Sequence, residues 1–288
     1  MNTFALGVTM ILLAGISLYA MAQVLEVMPG FGFSFSVLLC SIVVLAYALL
    51  GGIRATIYNE VFQLAVMIAG LAPLAWRCAH LKLEGGLHQA GQRYHLWTPL
   101  PDVSNASACD MLGLIVGLGF ILSFGYWCTD FVLMQRTFAV RAEKAVRQVP
   151  LWAGFGKLLF SVIVVLPGLV AYRMLPALGH GGRFDQALPM LMKLFYSPVM
   201  QGLGFTALGA SLMSGLAANV SAFAAVFTED FYRARLRPNK PDSHYFRIGL
   251  LSTLAAVLLS ALASYLNFLF TNLMERVQLM FSIFGTPF

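Results

Sequence analysis

Two serines inside a long uncharged stretch have the chemistry to bind a cation. Ser211 and Ser214 lie in residues 201–227, which contain no charged residue. At 100° per residue they share one helix face with other small residues, namely Ala207, Ala218, Ser221 and Ala225. Hydroxyls on such a face can hold a cation or bond across to another helix. Alternatively the face only allows close helix packing, and each hydroxyl bonds a carbonyl one turn earlier.

One lysine stands inside an apolar run. Lys157 comes about seven residues after the start of the run 151–172, and an ionisable group at that depth is a functional candidate by default. The alternative is that its long aliphatic stem carries the charge back to the headgroups. Asp130 ends an earlier run and could form a buried ion pair with Lys157.

The sequence offers no catalytic constellation. It contains no nucleophile elbow, phosphate loop or zinc motif, and its five histidines have no ligand spacing. The four cysteines do not form a metal set. Cys78 and Cys109 flank the long polar loop 77–110 and could pair if that loop is external, although sequence does not establish their proximity. An enzyme is therefore not expected.

The composition is that of an all-helical integral membrane protein. Of 288 residues 59% are hydrophobic and 10% are charged, whereas a soluble domain is about a quarter charged. The apolar runs are too long for the strands of a membrane barrel and predict transmembrane helices. Seven complete spans are predicted, at 4–27, 33–50, 58–76, 111–134, 151–172, 201–227 and 248–269, and part of an eighth begins at Val277. The net charge of +6 belongs to loops and does not indicate nucleic acid.

The distribution of basic residues predicts the orientation. The connections 51–57, 136–150 and 230–247, with Lys157, contain most of the 18 Lys and Arg residues. By the positive-inside rule this side is cytoplasmic, and so is the N-terminus of the chain. Gly51-Gly52 is expected to make a tight turn between the second and third spans. A short external helix is expected within 176–198.

Three blocks, in order, resemble the sodium:solute symporter family, which includes the sodium–glucose cotransporters. They are GGIRATIYNEVFQ (51–63); FGYWCTDFVLMQRTFAVRAEKA (124–145) with GKLLFSVIVVLPGLVAY (156–172); and DQALPMLM (185–192) leading into SLMSGLAANVSAFAAVFTEDFY (211–232). The resemblance implies an inverted-repeat bundle of the leucine-transporter type, with residues 1–288 as one transporter domain. It also implies an incomplete bundle that starts at the third core helix and stops within the tenth, so that the first two core helices and the C-terminal helices are missing. The sequence therefore looks like an internal piece of a longer protein or a truncated gene product.

The resemblance also assigns roles to individual residues. For sodium, the family uses a backbone carbonyl at the Ser211 position and two adjacent hydroxyls, of which Ser214 supplies one and Gly215 replaces the other. For the solute, the matching positions are Tyr126, Lys157 and Gln278. Ser123 lies where sugar-type relatives have an asparagine. Tyr126 and Gln278 could equally pack or bond neighbouring helices.

These observations predict a sodium-coupled importer of a small polar solute, with a sugar as the first expectation. The missing hydroxyl at Gly215 leaves proton coupling as an alternative. The other alternative is the membrane input domain of a signalling protein. Either way the chain is expected to be a multi-pass protein of the cell membrane, in a bacterium the inner membrane, whose oligomeric state is open.

Overall fold

The computed structural model describes residues 2–81, 116, 120, 124, 130–138, 140, 143–174, 184–266, 277 and 279. Seven α-helices lie in this part of the chain: α1 (Asn2–Val27), α2 (Phe33–His80), α3 (Phe131–Phe138), α4 (Glu143–Met174), α5 (Ala187–Phe195), α6 (Pro198–Val226) and α7 (Asp242–Leu266). A 3₁₀ turn, Phe184–Gln186, precedes α5, and a π-helical segment, Phe227–Leu236, continues α6. The described residues form no strand, which agrees with the predicted all-α class.

Five of the described helices are long and apolar enough to cross a membrane: Thr3–Val27, Ile57–His80, Lys144–Ala171, Pro198–Leu236 and Asp242–Leu266. The shorter apolar helix Phe33–Leu49 corresponds to the second predicted span. Most of the predicted span 111–134 and most of the run from Val277 lie outside the described residues. The short helix expected within 176–198 is confirmed as α5. Pro198 follows it and begins α6.

The predicted tight turn at Gly51-Gly52 is wrong, because helical backbone continues through both glycines from Phe33 to His80. A glycine costs a helix only about 1 kcal/mol, and no proline stands at this point. The helix is nevertheless strongly bent. Tyr47 donates a 3.0 Å hydrogen bond to Met213 O, while Gly70 touches Ala207. In a straight helix Tyr47 and Gly70 would be about 35 Å apart. Their contacts on α6, Met213 and Ala207, are six residues apart in the chain and therefore only about 9 Å apart along the helix. Glycine pairs are common sites of such bends.

The predicted connection 230–247 is also shorter than expected. The π-helical segment continues to Leu236 and α7 starts at Asp242, so only 237–241 is non-helical, with Asn239 in the left-handed region at φ 65°. Arg233 stabilises this corner. It pairs with Glu229 one turn earlier at 3.2 Å, lies 3.8 Å from Asp242, and stacks over the Tyr245 ring at 4.7 Å. Charged residues therefore extend the helices past the ends of the apolar runs.

The chain divides into two compact units, one of Met1–Cys78 with Leu159–Phe288 and one of Ala79–Leu158. The larger unit has a continuous core contributed by α1, the first part of α2, α6 and α7, with buried side chains such as Leu18, Val44, Leu216 and Val257. Helices α1 and α7 approach closely at Gly15, where a Cβ atom would lie 2.8 Å from the Cβ of Ala263. The core fixes α6 between its neighbours.

Helix α6 also packs closely against the second part of α2. A Cβ atom on Gly70 would overlap the Cβ of Ala207 and lie 2.8 Å from Leu203 O. Tyr196, just before α6, donates a 2.7 Å hydrogen bond to Gly70 O, and Arg77 donates to Phe195 O. Burial raises the pKa of Tyr196 to about 12, so this phenol stays protonated and able to donate at physiological pH. Glycine at position 70 is what allows the two helices to meet.

Candidate functional site

The hydroxyls of Ser211 and Ser214 are the central feature of α6. Ser211 is exposed and Ser214 is partly buried. Several other described hydroxyls in the bundle bond a carbonyl one turn earlier, as Thr206 does to Gly202 O at 2.8 Å and Ser17 to Leu13 O at 3.1 Å. Within the described part of the chain, neither Ser211 nor Ser214 forms such a bond. The back-bonding alternative is therefore not realised, and both oxygens can accept or ligate.

The backbone around Ser214 is held by side chains on either side. Tyr47 bonds the carbonyl of Met213, and Asn219 donates a 2.9 Å hydrogen bond to Gly215 O. The carbonyls held in this way belong to the residues directly before and after Ser214, so movement of Ser214 is limited. Preorganised oxygens of this kind favour ion binding because less order is lost when the ion arrives.

Gly215 faces α1, and the space there does not require a glycine. A Cβ atom built on it would lie 3.4 Å from Ser17 Oγ, at the near edge of ordinary van der Waals distance, and nothing else is within 4 Å. The absent hydroxyl at this position thus reflects the sequence, not a lack of room. A serine fits there.

Sequence reasoning missed Gln63, which lies in the second part of α2. Its side chain is 8% exposed, and its Oε1 atom has no hydrogen-bond partner. The neighbouring residues Val61, Phe62 and Leu64 are all exposed, so Gln63 occupies the packed side of the helix. The available signal was an amide inside the predicted span 58–76, two helical turns before Gly70.

Asp130 and Lys157 belong to the smaller unit. Asp130 begins α3 as its N-cap, because its Oδ1 atom accepts a 3.2 Å hydrogen bond from Leu133 N and its carbonyl accepts one from Met134 N. This local role was not foreseen for a residue taken to end a span. Lys157 lies in the middle of α4 and is exposed, as are the adjacent Leu158 and Leu159. The ion pair between Asp130 and Lys157 stays a prediction.

The remaining predicted solute residues, Ser123, Tyr126 and Gln278, lie outside the described residues. Cys78 is a buried free cysteine, so the disulfide considered from the sequence is not formed, and Cys109 also lies outside the described part. Among the described residues no group of three His, Cys, Asp or Glu side chains could hold a metal ion.

Comparison with protein families gives a match to the model described as "Sodium:solute symporter family" over residues 3–288. A sodium/glucose cotransporter of Vibrio parahaemolyticus is 24% identical over 273 residues, covering 85% of this chain and 49% of the relative. A sodium/mannose cotransporter of Bos taurus is 27% identical over 268 residues, covering 82% and 44%. A sodium/myo-inositol cotransporter 2 of Homo sapiens is 26% identical over 250 residues, covering 75% and 36%.

Among solved structures, a Na⁺-coupled sialic acid symporter in a substrate-bound outward-open state has a TM-score of 0.74 at 18% identity. The likeness covers 93% of this chain and 58% of that one, and it shows the fold. The chain spans about half or less of the length of the three curated relatives above. All of these proteins are transporters, and their names give no support to the sensor alternative.

Proposed function

The chain belongs to the sodium:solute symporter family, and on that basis we propose that it is part of a sodium-coupled transporter that imports a small polar solute. Family membership makes it a multi-pass membrane protein and not an enzyme. In such a transporter an ion and a solute both favour the same conformational change, so the ion gradient drives the solute uphill. Beside family membership, the single structural observation that carries the proposal is the Ser214 hydroxyl on α6, which forms no hydrogen bond to a described residue.

The residues on α6 fit a sodium ion. Sodium is a hard cation that prefers several oxygen ligands, and when bound it supplies the charge that links the electrochemical gradient to the conformational change. Ser214 would provide its hydroxyl and Ser211 its backbone carbonyl. The hydrogen bonds of Tyr47 and Asn219 hold this stretch of backbone in place. Because all of these groups are neutral, the coupling ion is proposed to be sodium and not a proton, which would need a titratable acceptor.

The proposed solute is a sugar or a similar polyol. The named relatives transport glucose, mannose and myo-inositol together with sodium. By the resemblance, Lys157, Tyr126 and Gln278 are the positions proposed to contact it, with Ser123 at the position where sugar-type relatives have an asparagine. A lysine ammonium and a glutamine amide both suit hydroxyl-rich ligands, because each donates several hydrogen bonds.

The proposed role of Lys157 can be tested by uptake in proteoliposomes of the whole transporter. A sodium gradient should drive accumulation of at least one of labelled glucose, mannose and myo-inositol, and Lys157→Ala should cut the rate at least tenfold with unchanged protein in the membrane. If protein is lost instead, and Asp130→Asn restores it in the double variant, the two residues form a structural ion pair. Normal uptake by Lys157→Ala removes the lysine from the solute site. Uptake driven only by a proton gradient overturns sodium coupling.

The proposed orientation places the corner at 237–241 in the cytoplasm, because exposed basic residues cluster around it: Arg235, Arg237, Lys240 and Arg247. A cysteine placed at the exposed Asn239 should react with an impermeant maleimide in inside-out vesicles and not in intact cells. Labelling in intact cells would reverse the topology. The native cysteines Cys40, Cys78, Cys109 and Cys128 are first replaced by serine, so that labelling reports only on position 239.

A further inference from the structure

Gln63 carries an oxygen that the fold leaves without a partner. The side chain is 8% exposed, and Oε1 forms no hydrogen bond to any described residue. Buried polar atoms nearly always have a partner, so an exception needs an explanation, such as an ion that completes the site. An amide oxygen is a suitable neutral ligand for a hard cation.

The helix register places Gln63 opposite Ser214. Helices α2 and α6 are antiparallel here, since Arg77 bonds Phe195 O while Gly70, earlier in α2, touches Ala207, later in the chain. Seven residues make close to two helical turns, about 10.5 Å, and return to the same face. Gln63 is seven residues before Gly70, and Ser214 is seven residues after Ala207. Because the helices are antiparallel, the step from Gly70 back to Gln63 and the step from Ala207 on to Ser214 run in the same direction along the bundle. Each step also returns to the side of its helix that faces the other helix.

We propose that Gln63 Oε1 is a ligand of the coupling cation, facing Ser214 Oγ across the contact between α2 and α6. This rests on the proposed function, in which α6 holds the ion. Gln63 on α2 would thus add a side-chain oxygen to a site in which Gly215 on α6 supplies none. It also ties the ion to α2, so that binding draws together two helices already in contact at Gly70.

A second buried glutamine provides a matched control. Gln23 in α1 is 1% exposed, but its Oε1 accepts a 2.5 Å hydrogen bond from Gln186, and its unpartnered atom is the nitrogen Nε2. A nitrogen donor repels a cation. Gln23 is therefore as buried as Gln63 and equally incomplete in its hydrogen bonding, but it cannot ligate sodium through that atom.

The test is equilibrium binding of ²²Na⁺ to the purified transporter in nanodiscs. Gln63→Met keeps the length of the side chain and removes the oxygen, and it should weaken sodium binding about tenfold or more. Gln63→Glu keeps an oxygen in place and should bind at least as tightly as the wild type. Gln23→Met should leave the affinity unchanged. Without sodium, Gln63→Met should melt no lower than the wild type, because it removes an unbonded buried polar atom.

The outcomes separate this inference from the proposed function. Unchanged affinity in Gln63→Met, with loss of binding in Ser214→Ala, overturns the role of Gln63 and leaves the site on α6 standing. A lower melting temperature of Gln63→Met without sodium, together with unchanged affinity, assigns Gln63 to packing and also overturns it. Unchanged affinity in both Ser214→Ala and Gln63→Met overturns the site itself.

Discussion

Gly70→Ala should destabilise the protein by about 2–3 kcal/mol, toward the upper end of what an extra methyl group costs in a well-packed contact. The new Cβ atom would overlap the Cβ of Ala207 and press on Leu203 O at 2.8 Å. One of these obstacles is backbone, so neither helix can yield by a side-chain rotation alone. The variant should also bind sodium more weakly, because pushing α2 away from α6 separates Gln63 from Ser214.

The matched control is Gly202→Ala, on the exposed side of α6, where a Cβ atom would meet nothing within 4 Å. Alanine is the better helix former by about 1 kcal/mol, so this variant should be as stable as the wild type or more so. Thermal melting in detergent, followed by tryptophan fluorescence, compares the two. Equal melting temperatures for the two variants would show that α2 and α6 do not meet at Gly70.

Gly215→Ser should tighten sodium binding by roughly 10- to 100-fold. A hydrogen bond or ligand to a charged group is worth about 1.5–3 kcal/mol, and each 1.4 kcal/mol is a factor of ten in affinity. The structure leaves room, since the nearest atom to a Cβ at this position is Ser17 Oγ at 3.4 Å, and that hydroxyl is already bonded to Leu13 O. The added hydroxyl is therefore available to the ion.

Gly215→Ala is the control for this change, because it adds the same Cβ atom without the oxygen. Its sodium affinity should equal that of the wild type, as measured by ²²Na⁺ binding. If alanine tightens binding as much as serine does, the gain comes from helix stiffness and not from a new ligand. If serine has no effect, position 215 does not face the ion.

The apolar runs predicted most of the described helices because length and hydropathy are properties of the chain itself. The predicted helix ends were wrong where glycine or charged residues suggested a turn or loop but the backbone hydrogen bonds of the helix continued. The pair Gly51-Gly52 indicated a turn, yet helical backbone continues through both glycines. Charged residues such as Glu229 and Arg233 read as loop, yet their pairing extends the helix past the apolar boundary.

The cation site was predictable only in part. The resemblance pointed to Ser211 and Ser214, but whether a hydroxyl bonds its own helix depends on its rotamer, which sequence does not determine. Gln63 escaped notice because nothing local in the sequence indicates that its side chain is buried, and the contact of Gly70 with Ala207 two turns further on joins segments more than 130 residues apart. The amide itself is visible in the sequence, but whether it is buried depends on tertiary packing, which the local sequence does not determine.

The most direct test of the central claim is ²²Na⁺ binding to the purified transporter with and without Ser214→Ala. The wild type should bind sodium saturably, with potassium failing to compete at equal concentration. Ser214→Ala, which removes one oxygen from a partly buried position on α6, should lose that binding while its melting temperature without sodium stays at the wild-type value. Sodium binding of wild-type affinity in Ser214→Ala would contradict the account, because the ion would then not be held on this helix.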